Sequence, residues 1–152
     1  MSRYEWSRLN RQQVGTYTEY FVKMEFTMHG FQVYTTEVDD RGIDFVARFE
    51  NNPFIEIQVK SVRSRGYVFM QKDKFKLDKH LYLALGLLNE YEPPSLFLIP
   101  SVVWRRPNKV FVSRDYQKLK SRPEWGLNVS KRNSRFLDPY KFESAVEELA
   151  KK

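Results

Sequence analysis

Cysteine is absent from all 152 residues, which removes disulfides, thiolate-held zinc and cysteine nucleophiles together. Histidine is almost as scarce, with only His29 and His80, so a histidine-rich metal centre is not expected. No apolar run approaches the roughly eighteen residues that a membrane span requires. The opening Met-Ser-Arg-Tyr-Glu-Trp is charged and lacks the apolar core of a signal peptide, which predicts a cytoplasmic protein. There is no glycine-rich phosphate loop and no serine nucleophile elbow. No repeat or low-complexity linker divides the chain, so residues 1–152 are expected to form a single domain. What remains for metal chemistry is oxygen.

Positive charge and aromatic residues are what the chain does have. Lysine and arginine outnumber aspartate and glutamate by 26 to 19, for a formal net charge of +7, and aromatics reach 16%. A cation that meets a phosphate releases condensed counterions, so this balance favours a polyanionic partner, nucleic acid first. It is equally compatible with an ordinary basic protein. A hydrophobic content of 41% over this length suffices for a proper core.

The most informative stretch runs from Gly42 to Ser61. Two runs rich in β-branched and aromatic residues flank the turn formers Glu50-Asn51-Asn52-Pro53, which predicts a β-hairpin. In the second run Ile55, Ile57 and Val59 alternate with Glu56, Gln58 and Lys60, so a strand's period of two separates an apolar face from a polar one. Same-face neighbours lie roughly 7 Å apart, and Asp44 on the partner strand can join that polar row in one site. Aspartate is disfavoured in strands, which tilts Asp44 toward function. Asp44, the Gln58 side-chain oxygen, Glu56 and a strand carbonyl form a donor set for Mg²⁺, which takes one or two protein carboxylates and keeps several waters. Lys60 would face a scissile phosphate. Phosphodiester hydrolysis needs such a constellation, because the metal lowers the pKa of water and neutralises developing charge.

Around this hairpin, residues 12–29 read as an amphipathic helix with Val14, Tyr17, Phe21, Met24 and Met28 on one stripe and Gly30 as its stop. Gly15 would let the helix approach the sheet while Glu19, off the stripe, either points to the hairpin's polar face or is a solvated carboxylate. Phe31 to Val38 reads as a strand, and Asp39 and Asp40 as turn residues outside the primary site. Arg63 and Arg65 follow the polar strand directly and, with Lys72 and Lys74, are candidate phosphate contacts; Tyr67, Phe69 and Phe75 among them either stack on an exposed base or pack in a core. Leu81 to Leu88 and Ser95 to Trp104 read as buried strands, the second broken at Pro100, and complete a mixed sheet. A second basic zone includes Arg114, Lys118 and Lys120. Glu124 to Ser130 reads as a short edge strand, and Tyr140 to Lys152 as a terminal helix.

An acidic residue on an N-terminal helix, an Asp at the start of a strand, and Gln-Val-Lys on the next strand resemble the PD-(D/E)xK nuclease superfamily. The Gln-x-Lys form resembles Mrr-like restriction endonucleases and archaeal Holliday junction resolvase-like proteins in particular. The resemblance covers about the first half of the chain. It implies a restriction-endonuclease-like α/β fold, a mixed central β-sheet flanked by helices. It also implies that Asp44, Gln58 and the Val59 carbonyl bind Mg²⁺ or Mn²⁺, that Lys60 is the catalytic lysine, and that Glu19 is an auxiliary metal or water ligand. Gln58 departs from the commoner acid and removes a negative charge. Either Glu56 compensates, or metal binding is weak and the site inactive.

Two functions therefore compete: a metal-dependent endonuclease hydrolysing DNA, and a catalytically inactive nuclease-fold module that binds nucleic acid. A third possibility is a basic structural domain without DNA affinity. Double-strand cutting by so small a domain usually requires two active sites, which makes a homodimer the natural assembly.

Overall fold

The computed structural model describes residues 2–37, 41–117 and 120–151. Val38, Asp39, Asp40, Lys118 and Lys152, which figure in the expectations above, lie outside the described residues.

The chain starts with a short 3₁₀ turn at Trp6–Arg8 and then α1, Arg11–Met28. Asn10 caps α1 by accepting the Gln13 N–H at 2.8 Å, while the Gln13 side chain accepts the Asn10 N–H at 2.8 Å, a reciprocal box that satisfies two orphan donors. Gly30, at a φ of +88°, ends the element. The buried stripe is Val14, Thr18, Val22 and Phe26 rather than the predicted Tyr17, Phe21, Met24 and Met28. Met24 is 57% and Met28 81% exposed. The helix carries apolar residues on two sides, and the partners beneath decide between them. Phe26 meets Phe31, Phe45 and Phe142 edge to face, and Thr18 can be buried because its hydroxyl donates to the Val14 carbonyl at 2.8 Å.

Five strands form the central sheet: β1 Gln32–Thr35, β2 Phe45–Arg48, β3 Ile55–Arg63, β5 Leu81–Leu88 and β6 Ser95–Pro100, in the order β1-β2-β3-β5-β6. The sheet is mixed. β3 and β5 run parallel, and every other neighbouring pair is antiparallel. Between β3 and β5 the chain leaves the sheet as β4, Gly66–Gln71, which pairs with β8, Glu124–Val129; β7, Phe111–Arg114, closes a second sheet in the order β4-β8-β7. Glu124 to Val129 is therefore the middle strand of a small sheet and not an edge. Residues Ser101–Arg105 form a 3₁₀ turn, so the predicted strand beyond Pro100 does not continue. A further 3₁₀ segment, Ser134–Tyr140, leads into α2, Phe142–Lys151.

One face of the central sheet packs on α1 and α2, through Ile55, Ile57, Phe45, Ala84 and Leu98 against Val22, Phe26, Phe142 and Val146. The other face packs on the small sheet, through Val62, Leu83 and Leu85 against Met70, Phe111 and Leu127, with Trp104 and Phe75 in the same core. The chain is thus one α/β domain whose mixed sheet is flanked by helices. Among the described residues no helix is long and apolar enough to cross a membrane.

Candidate active site

The central ladder changes character at Asp44. Phe45 is registered with Ile57, and the Asp44 N–H also donates to the Ile57 carbonyl at 2.9 Å, so two residues of one strand face one of the other, as in a β-bulge. Beyond this point β2 no longer accompanies β3, which continues to Arg63 beside β5 alone. The Val59 N–H would be left without a backbone acceptor. The Asp44 carboxylate takes that place, accepting it at 2.6 Å. A charge-assisted bond of this kind contributes about 1.5–3 kcal/mol and fixes the carboxylate at the vacated edge of β3. A strand residue's N–H and C=O point toward the same neighbour, so the Val59 carbonyl faces that edge too.

Glu56, Gln58 and Lys60 share one face of β3, as the alternation predicts, but they do not share one environment. Glu56 lies opposite Val46 and lines a hollow of about 560 Å³ with Lys76, Asp78 and His80. The single site expected to include it is therefore split. Gln58 is half-buried and close to Gly42, where a side chain would come within 3.8 Å of its amide nitrogen. Gly42 has a φ of +76° and abuts Lys74 as well, which brings Lys74 beside Gln58. Lys60 is half-buried in a groove between α1 and β4 and forms no hydrogen bond or ion pair among the described residues.

Glu19 sits on α1 and pairs with Lys23 at 3.7 Å; the Lys23 ammonium in turn lies 5.6 Å from the Phe45 ring, next to Asp44 in the chain. Gly15 does not perform the predicted role, since a Cβ there would meet nothing within 4 Å. The close approach is made at Gly86 on β5 instead, where a Cβ would come within 2.7 Å of the Thr18 methyl. A glycine inside the apolar run 81–88 was the sequence signal for it.

The four candidate phosphate contacts also separate. Arg65 is exposed and lines the groove. Arg63 lines it as well, with one N–H donated to the Leu9 carbonyl at 2.6 Å. Lys74 is exposed. Lys72 is committed within the fold: its ammonium meets Ser113 at 2.7 Å and Asp115 at 2.8 Å and lies 3.9 Å above the Trp125 ring. Its expected freedom to grip a phosphate is lost to these partners. On the small sheet the Tyr67 hydroxyl donates to the buried Glu124 carboxylate; burial first, then that carboxylate, pushes the phenol far above its ordinary range and keeps it a donor. Among the described residues no three histidines, aspartates or glutamates converge as a metal-binding group.

No protein-family model matches the chain, and no curated protein matches it. Among solved structures it is similar to Hjc, a Holliday junction resolvase from the archaeal hyperthermophile Archaeoglobus fulgidus, at a TM-score of 0.58 and 13% identity, over 88% of this chain and 95% of that one. At that identity the likeness establishes the fold, and the fold is that of the archaeal resolvase.

Proposed function

We propose that the chain is a metal-dependent endonuclease that hydrolyses DNA phosphodiester bonds in the cytoplasm. The observation that carries this is the Asp44 carboxylate held at the vacated edge of β3 by the Val59 N–H, with Lys60 one residue beyond and unpaired among the described residues. Asp44, the Gln58 amide oxygen and the Val59 carbonyl are hard oxygen donors carrying a single charge. They fit Mg²⁺ or Mn²⁺ with most coordination positions left to water. Bound there, the ion would lower the pKa of a water and offset charge on the phosphate. Lys60 is assigned to the scissile phosphate. Glu19 is assigned the auxiliary role, which requires it to release Lys23. Glu56 acts only from a distance, and Arg65, Lys74 and the remaining N–H groups of Arg63 hold the backbone. A homodimer would supply a second centre for the second strand.

The solved neighbour is a Holliday junction resolvase, so branched DNA is the first substrate to test. A four-way junction and a supercoiled plasmid are incubated with Mg²⁺ or Mn²⁺ and the native protein, Lys60→Ala or Asp44→Asn. The native protein alone should cut. Cutting at the native rate by both variants sinks the assignment.

A second function, DNA binding without chemistry, is favoured by Gln58 and by the absence of a three-acid cluster among the described residues. Calorimetric titration with Mn²⁺ separates the two. Asp44-dependent heat supports the enzyme, whereas no heat beside salt-sensitive DNA affinity supports the binder.

A further inference from the structure

We propose that the groove leading away from Lys60 seats single-stranded DNA, with Phe69 as the ring on which an unpaired base stacks. This rests on the nuclease assignment and names its substrate class: DNA whose strand is unpaired beside the cleaved phosphate. A single concavity of about 830 Å³ runs from Gly15 and Thr18 on α1, across Val59 to Arg63 of β3, to Gly66 to Phe69 of β4. That is the size of a cleft for a ligand of a few rings. Its lining holds Arg11, Lys60, Arg63 and Arg65 and not one aspartate or glutamate among the described residues, a charge pattern that complements a polyanion. The open edge of β3, where β2 has stopped, is its floor.

At the far end of the groove the aromatic surface is held in place. The Tyr67 ring lies across Gly126, its hydroxyl donates to Glu124, and the Arg114 guanidinium sits 4.3 Å over it. Gly126 must be glycine for that, because any Cβ would run into the Tyr67 ring. Phe69 stacks beside Tyr67 with 6.3 Å between centroids and 21° between planes, yet stays 47% exposed. A large apolar ring, stacked on Tyr67, half in water and lining the same groove as four cations offers what base stacking needs. Stacking on such a ring does not depend on which base arrives. The Glu124 and Arg114 contacts hold Tyr67, and the stack on Tyr67 lowers the cost of ordering Phe69 when a base arrives.

The test measures binding without metal, in EDTA, on the Asp44→Asn background, by anisotropy of a labelled twelve-nucleotide strand and of its duplex. F69A should weaken the single strand about tenfold and the duplex less than about twofold. F69W should bind the single strand like its parent, and its added emission should be quenched on binding. No loss with F69A, an equal loss on both DNAs, or an unquenched F69W overturns the proposal. Because no cleavage is involved, a failed nuclease assignment leaves this result intact. Conversely, cleavage by the native protein with no F69A effect removes only the stacking platform.

Discussion

The two halves of β3 share a strand and an alternating pattern, yet the molecule uses them differently. Ile55 to Ile57 pair with β2, Glu56 and Ile57 pair with β5 as well, and both isoleucines are buried against α1 and α2. From Gln58 to Arg63 it has β5 alone, and its free edge is met by the Asp44 carboxylate and then by the groove. A ladder completed on both edges leaves no backbone group for chemistry. An interrupted one leaves oxygen donors, side chains and solvent at a single line. Stability is therefore expected to reside in the first half and activity in the second.

Lys60→Ala should break the comparison most visibly if it is wrong. Loss of a cation that counters charge in a transition state costs about 10²–10³-fold in rate, while a half-buried lysine without a partner among the described residues contributes little to stability. Junction cleavage should collapse with the melting temperature nearly unmoved. Ile57→Ala is the mirror experiment. The side chain is fully buried, so its truncation should cost about 2–5 kcal/mol in chemical denaturation, and the protein that remains folded should cut normally. Equal effects of the two changes on both measurements would dissolve the distinction between the halves.

Asp44 lies on the border, and two substitutions sharpen it. Alanine leaves the Val59 N–H without its acceptor and should cost about 1–3 kcal/mol of stability. Asparagine keeps a side-chain oxygen for that bond, while the second oxygen becomes an NH₂ group and the charge is lost. Its stability should stay within about 1 kcal/mol of native while Mn²⁺ binding disappears. Asp44→Ala is therefore not a clean probe of catalysis, although an aspartate next to an apolar strand invites that use.

Much of this arrangement was legible in the residues themselves. The hairpin, the alternation of Ile55 to Lys60 and the buried strands at 81–88 and 95–100 follow from period and turn chemistry, which are local. The buried stripe of α1 was not legible, because Tyr17, Phe21, Met24 and Met28 match a helical period as well as Val14, Val22 and Phe26 do. Only the phenylalanines contributed by β2 and α2 decide it. The bulge at Asp44 was hidden too, since it depends on which carbonyl two successive N–H groups find. Likewise the parting of Glu56 from Gln58 needs Lys76, Asp78 and His80, which reach the sheet from a different loop. The small sheet escaped for the same reason: β4 pairs with β8 across more than fifty residues, and nothing in either strand announces the other.

Two glycines carry the comparison down to its smallest expected effect. Gly15 faces the open groove and a Cβ there meets nothing within 4 Å, so Gly15→Ala should add about 1 kcal/mol of stability through helix propensity. Gly86 faces the closed side of the same helix. A Cβ there would press to 2.7 Å on the methyl of Thr18, a fully buried β-branched residue whose hydroxyl is already bound to the Val14 carbonyl. Rotation away is blocked by that bond and by the stiffness of its χ1, so the clash should outweigh any gain in strand propensity. Gly86→Ala is expected to cost about 1–3 kcal/mol in urea denaturation, opposite in sign to Gly15→Ala on the same helix. A stabilising effect at both positions would mean that α1 rides loosely over β5. The groove it borders would then not be a preformed one.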